Sequence, residues 1–196
     1  MKSLLGMSQA ELQDLVAQHN MPKFTTKQLL DWLYRKRVKT FDEMTNLSKQ
    51  TRQILAENYE TGYRDYSDVQ ESKDGTKKYL FPAANGFIET AYIPEKERAT
   101  LCVSCQVGCK MNCLFCQTGK QGFQGNLSAG DIINQILNLP EYETLTNFVF
   151  MGMGEPMDNY DNIMRVLEIM TSDWGLAMSP RSEERRVGKE CRSRWS

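Results

Sequence analysis

The sequence predicts an α/β fold: the first part of a (β/α) barrel, preceded by a small helical domain and a short antiparallel β meander. Three observations predict it. Capped amphipathic runs fill residues 1–62, two Asx-Gly turns separate alternating runs between 68 and 93, and from Arg98 onward buried strands alternate with helices.

The first region reads as helices. Ser8-Gln-Ala-Glu11 is a capping box ahead of Leu12, Leu15 and Val16 on one helical face. Thr25-Thr-Lys-Gln28 predicts a second box, opening a helix with Leu29, Leu30, Trp32, Leu33 and Tyr34. Thr40-Phe-Asp-Glu43 and Ser48 open two more short helices, the last holding Ile54 and Leu55. Helices this short are marginal alone, so they are expected to pack as a small bundle.

Residues 63–97 change period. Asp74-Gly75 and Asn85-Gly86 are hairpin turns between β-like runs near Asp68–Glu71, Lys77–Phe81 and Phe87–Ile93. This meander is expected to link the helices to the core.

In the core, residues 98–180, Ala99–Val103 reads as a buried strand leading into a cysteine-rich loop. Ser128-Ala-Gly-Asp131 caps a helix with Ile132, Ile133, Ile136 and Leu137 inward. Asn147–Met151 is a second buried strand, and Asp161–Met170 a helix with Ile163, Val166, Leu167 and Met170 on one face. Strand, helix, strand, helix implies parallel strands and right-handed crossovers, here two units of a barrel. No internal repeat or low-complexity segment is present.

Residues 181–196, RSEERRVGKECRSRWS, are out of character, with six basic and three acidic residues and almost nothing apolar. A basic RNA-binding tail is one reading. Back-translated, the stretch resembles a common sequencing adapter. It is therefore expected not to be native, with Cys191 excluded from function and the natural C-terminus missing.

The 196 residues, 40% of them apolar, suffice for a real core and exclude general disorder. The N-terminus lacks an apolar secretory core and no run is long enough to span a bilayer. A cytoplasmic protein without membrane partners is expected. There thiols stay reduced, so clustered cysteines point to metal binding or catalysis.

Five of the six cysteines lie between Cys102 and Cys116. Cys109, Cys113 and Cys116 form C-x3-C-x2-C. Three thiolates in one loop can reach three irons of a cubane and leave the fourth open to a small chelating molecule, where iron–sulfur clusters normally take four cysteines. Zinc is the alternative: Cys102-x2-Cys105 and Cys113-x2-Cys116 are paired like a zinc ribbon. The seven-residue gap is short for a knuckle, Cys109 is left over, and the only histidine, His19, is distant. That zinc reading would make the chain a zinc-stabilised RNA-binding module.

ATLCVSCQVGCKMNCLFCQTGKQGF together with FVFMGMGEPMDNYDN resembles the radical S-adenosylmethionine (SAM) enzymes. More narrowly it resembles the dual-specificity methyltransferases that act at adenine C2 of 23S rRNA and tRNA. Similarity runs from about Lys23 to Arg181, through FDEMTNLSK and IETAYIPEKERATLCVS. The resemblance implies a radical SAM partial barrel and a [4Fe–4S] cluster on Cys109, Cys113 and Cys116, with SAM on the fourth iron and a 5′-deoxyadenosyl radical formed from it. It places Gly154 and Glu155 on the SAM amino group. It makes Cys102 the cysteine that resolves a covalent RNA adduct, formed through a methyl group carried on a second cysteine near the family's C-terminus. The chain ends before that cysteine, so an inactive fragment is expected. Glu89 matches the family's proton acceptor; taken alone it is a polar residue on an amphipathic strand. Cys105 stands where serine is commoner. An antibiotic-resistance relative directed at adenine C8 is the enzymatic alternative.

For RNA, Arg35, Lys36, Arg37 and Lys39 form a basic run beside Trp32 and Tyr34. Such residues can neutralise phosphates and stack on bases, although a charged helix end is also an ordinary solvated face. The resemblance implies that the helical domain contacts RNA; Lys120 and Gln121, just after the cysteine loop, are further candidates near the substrate. It also implies an electron donor such as flavodoxin, and a monomer is expected.

Overall fold

The computed structural model describes residues 1–179; the expectations for 181–196, Cys191 included, lie outside them. Strand β1 (Lys2–Ser3) leads into α1 (Gln9–Gln18). The Ser8 hydroxyl accepts from the Glu11 N–H while the Glu11 carboxylate accepts from the Ser8 N–H at 2.8 Å, the reciprocal box the sequence predicts. Leu12, Leu15 and Val16 are its buried face.

Helix α2 (Thr25–Leu30) runs into a π-type turn over Asp31–Arg35. The Thr25–Gln28 box does not form: Phe24 is the cap residue, and Thr25 and Thr26 are buried in the first turn. The reason lies upstream. Pro22 and Lys23 carbonyls already accept from the Thr25 and Thr26 N–H groups, so no side-chain cap is needed. A 3₁₀ turn at Phe41–Glu43 carries the Thr40–Glu43 box, and Ser48 caps α3 (Lys49–Asn58). β2 (Tyr59–Glu60) then pairs in parallel with β1, tying the two ends of the helical domain together.

The meander forms as predicted, with β3 (Asp68–Glu71), β4 (Lys77–Ala83) and β5 (Gly86–Pro94). Gly75 and Gly86 have φ of +84° and +133°, conformations that suit glycine. β6 (Ala99–Cys102) follows, then β7 (Gln106–Val107), the short helix α4 (Gln117–Lys120) and β8 (Gly125–Asn126). α5 (Ala129–Leu137), capped reciprocally by Ser128 and Asp131, leads to β9 (Asn147–Val149), and α6 (Tyr160–Thr171) completes the unit.

One sheet joins meander and core, in the order β3-β4-β5-β6-β9. Its first four strands are antiparallel; β6 and β9 are parallel, with Leu101 opposite Phe148. The meander is thus part of the core sheet, held through Tyr92 opposite Leu101 and Ala91 opposite Cys102. Tyr79, Phe81, Ile88, Thr90, Tyr92 and Leu101 are buried on one face, against α5, whose Ile132, Ile133, Ile136 and Leu137 are also buried. On α6 the buried residues are Ile163, Val166, Ile169 and Met170, with Leu167 only partly covered. The stripe shifts toward Ile169 because the following turn folds back, its Leu176 N–H donating to the Ile169 carbonyl.

The helical domain rests on α5 and α6. The Tyr34 hydroxyl donates to the Met7 carbonyl at 2.7 Å and accepts from the Gly6 N–H, and its ring meets Trp174 edge-on. Gly6, with φ of +92°, lies so close to Gly130 that a Cβ would meet its nitrogen at 2.3 Å. No helix among the described residues is long and apolar enough to cross a membrane.

Candidate cofactor site

Parallel β6 and β9 end on the same side, where α/β folds place function. Beyond their ends the two chains stay bonded. The Cys105 and Gln106 N–H groups both donate to the Met153 carbonyl, the Gly152 N–H to the Val103 carbonyl, and the Met153 N–H to the Ser104 hydroxyl. A Cβ on Gly152 would meet the Val103 carbonyl oxygen at 2.8 Å, and one on Gly154, whose φ is +103°, the Gln106 Cβ at 2.6 Å. The close approach that Gly154 permits is therefore to Gln106. It leaves Glu155 pinned: its N–H donates to Gln106 Oε1 at 2.9 Å, and its carboxylate accepts from the Met157 N–H.

The cysteine loop leaves from this point and returns to it. β7 pairs with β8, Gln106 opposite Asn126 and Val107 opposite Gly125, so both ends of the loop are fixed. Gly108 (φ +73°) passes so near Gly122 that a side chain would strike its carbonyl oxygen. Cys109, Cys113 and Cys116 are all partly exposed, and Leu114 and Phe115 are exposed among them. Burial raises the Cys109 thiol pKa, against the N–H of Met111 donating to its sulfur; Cys113, Cys116 and Glu155 raise it further by their negative charge. Cys109 therefore lies within electrostatic reach of Cys113, Cys116 and Glu155.

A polar frame supports the loop. Asp158 accepts from Gln106 Nε2 at 2.8 Å and from Lys110 Nζ at 3.0 Å, and these bonds lower its pKa, that with Lys110 most. Lys110 also lies over the Phe123 ring, 4.3 Å from its centroid. Gln135 of α5 reads the backbone of Ser104 twice, accepting its N–H and donating to its carbonyl, each at 2.9 Å, and accepts from the Thr90 hydroxyl. Asn159 donates to the carbonyls of Cys105 and Leu127.

The donor set suits an iron–sulfur cluster. Among the described residues no three His, Cys, Asp or Glu side chains already surround a metal-sized point, yet one loop carries three partly exposed thiols, Cys109 among them within electrostatic reach of Glu155. That is the soft-ligand chemistry such a cluster needs, with one corner left for another ligand.

Family models match along the chain: residues 2–61 match the ribosomal RNA large subunit methyltransferase N-terminal domain, and residues 103–194 the radical SAM superfamily. Probable dual-specificity RNA methyltransferases RlmN are similar in sequence. That of Phocaeicola vulgatus is 57% identical over 180 residues, 91% of this chain and 52% of the relative. Those of Porphyromonas gingivalis (56%, covering 91% and 52%) and Listeria welshimeri (41%, covering 91% and 51%) are also similar. The chain belongs to the RlmN family of radical SAM proteins. A crystal structure of a radical SAM methyltransferase from Sphaerobacter thermophilus superposes with a TM-score of 0.86 at 35% identity, covering 93% of this chain and 56% of that one. The chain spans about half the length of the curated RlmN relatives it matches.

The RlmN-like positions fall into three groups. Cys109, Cys113, Cys116, Gly154 and Glu155 gather at the strand ends. Cys102 ends β6, its thiol pKa raised by burial against a hydrogen bond from the Met151 backbone. Glu89, on β5, is exposed on the same sheet face as Cys102, since Ala91, two residues along, is opposite Cys102. It pairs with Lys78 at 2.9 Å, and its carbonyl accepts from the Ser104 hydroxyl. Cys105 is buried, and burial, with Glu155 and Cys109 nearby, pushes its thiol up to about 12.

The basic run lies elsewhere, at the junction of helical domain and core. Arg35 donates to the Asp173 carbonyl, Lys36 pairs with Asp31 over the Trp32 ring, Arg37 pairs with Glu143 and stacks on Tyr142, and Lys39 pairs with Asp65. Lys120 and Gln121 are exposed at the end of α4. Sequence reasoning missed Gln106, Lys110, Gln135, Asp158 and Asn159, whose partners are distant in the chain.

Proposed function

We propose that this chain carries the cluster- and SAM-binding half of an RNA methyltransferase that methylates C2 of adenosine in 23S rRNA and tRNA. The observation that carries the reading is the convergence of the Cys109–Cys116 loop and Glu155 at the ends of two parallel strands. The names of the relatives support RNA as substrate and the dual specificity.

Cys109, Cys113 and Cys116 would hold the [4Fe–4S] cluster. With SAM bound, that group supplies one-electron cleavage of the sulfonium, radical chemistry no side chain provides. Gln106 fixes the backbone of Glu155, leaving its carboxylate to accept hydrogen bonds from an ammonium group of SAM. Burial raises the Cys102 thiol pKa, so a base would assist its attack as a thiolate. Glu89, on the same face of the sheet, would take that proton. Met111, Leu114 and Phe115, exposed in the same loop as the thiols, would add apolar surface that helps to exclude water from a bound cofactor. Methyl transfer through a second cysteine, with an electron donor such as flavodoxin, completes the proposal.

Anaerobic reconstitution tests it. The chain should take up iron and sulfide, absorb near ~400 nm and change its spectrum on adding SAM. Substituting Cys109, Cys113 or Cys116 by Ala should abolish that uptake. Zinc without sulfide, or a spectrum indifferent to SAM, would refute it.

A further inference from the structure

We propose that Asp158 is a positioning residue that sets the distance between the cysteine loop and Glu155, and so tunes SAM binding; the second half of this inference rests on the function proposed above. Two side chains hold the two partners of the site. Lys110 is covalently next to Cys109. Gln106, which is fully buried, accepts the Glu155 N–H. Asp158 accepts from both, from Gln106 Nε2 at 2.8 Å and from Lys110 Nζ at 3.0 and 3.3 Å. Asn126, opposite Gln106 in the β7–β8 pair, accepts from the same Gln106 amide and donates to the Asp158 carbonyl. The Phe123 ring backs the Lys110 ammonium from the returning arm of the loop.

The connection is direct: Cys109 through Lys110 to Asp158, then through Gln106 to Glu155. An ordinary exposed ion pair would contribute little. This one shares its carboxylate with a buried amide, so removing the carboxylate also leaves one of the two Gln106 amide hydrogens without its acceptor, the other still going to Asn126. A ligand that touches both the cysteine loop and Glu155 must match their separation. Loosening Asp158 should therefore weaken that ligand while leaving each partner chemically intact.

The test uses Asp158→Ala, Asp158→Asn, Lys110→Met and the Asp158→Ala/Lys110→Met pair in the anaerobically reconstituted chain. Iron and sulfide content should stay near the wild-type values; the melting temperature should fall by a few degrees at most in Asp158→Ala, which unpairs one Gln106 amide hydrogen, and should hold in Lys110→Met. The SAM Kd, read from the spectral change, should rise about tenfold in Asp158→Ala and in Lys110→Met. The pair should be no worse than either single change, because one connection is cut twice. Asp158→Asn, which keeps an acceptor for Gln106, should recover part of the affinity. In the apo chain, hydrogen exchange of residues 108–112 should quicken in Asp158→Ala while the sheet stays protected.

An unchanged SAM Kd at full cluster loading would overturn the inference. So would additive effects of the pair, or uniform acceleration of exchange with a fallen melting temperature, which would mark a general stability role. If the wild-type chain takes up no iron and sulfide, the functional reading fails; the exchange of 108–112 then still decides whether Asp158 holds the loop.

Discussion

The two faces of the five-stranded sheet are built differently. On the face toward α5, Tyr79, Phe81, Ile88, Thr90, Tyr92 and Leu101 are buried, and the polar members among them have partners: Tyr79 donates to Glu141 and Thr90 to Gln135. On the other face Phe87 is 53% exposed and Ile93 37%, Glu89 pairs with Lys78 near the surface, and Cys102 is partly open. Strand alternation makes this division, since each residue faces opposite to its neighbours. The difference separates two jobs within the same strands. One face holds the fold together; the other, with the strand ends, carries the residues that resemble a family's chemistry. Substitutions on the two faces should therefore differ in kind, and that difference can be tested by size of effect.

Leu101→Ala should have the largest effect on stability. It empties a fully buried position between Tyr92 and Phe148, and about 3 kcal/mol should be lost in chemical denaturation. Ile93→Ala, on the open face, should cost less than about 1 kcal/mol. Equal costs would break the comparison. Next comes Gln135→Leu, which strips the Ser104 N–H, the Ser104 carbonyl and the Thr90 hydroxyl of their partner. A loss of about 2 kcal/mol is expected, with faster hydrogen exchange at the Ser104 amide. If that amide stays protected, the strand end is held by something other than Gln135.

How far such features were legible in the sequence depended on the distance between partners. The Ser8, Thr40 and Ser128 boxes need only four consecutive residues, and they form as predicted. The Thr25 box has the same letters, but a turn begun at Pro22 had already satisfied its backbone. The pairing of β1 with β2 joins Lys2 to Tyr59 through strands too short to show any period. At the site, the cysteine spacing was legible because one loop contains it. Gly154 was legible through the resemblance alone, and its neighbour is Gln106, 48 positions away in the chain and marked by no motif. Asp158 and Gln135 were illegible for the same reason: each acts on backbone or side chains more than thirty residues distant.

A smaller effect depends on pH. Burial pushes the Cys105 thiol from an ordinary value near 9 to about 12, with Glu155 and Cys109 adding to the shift. The folded apo chain thus keeps this thiol neutral where the unfolded chain would ionise it. Its contribution is complete below pH 9 and is lost as pH climbs toward 12, on the order of 1 kcal/mol by pH 10. Cys105→Ala should flatten this alkaline slope in denaturation measured from pH 8 to 10.5; an unchanged slope would place the titration elsewhere.

The smallest stability effect should come from Glu89→Gln. Its ion pair with Lys78 is about half exposed at both ends, 45% and 48%, and such pairs contribute little in water. A change under about 0.5 kcal/mol is expected, and the melting temperature should barely move. If Glu89 takes a proton in methyl transfer, the same substitution in a protein carrying the full family length should lower turnover by about a hundredfold or more. Loss of stability with turnover intact would reverse the assignment: Glu89 would then belong with the residues that hold the sheet, and the open face would have no chemical role at this position.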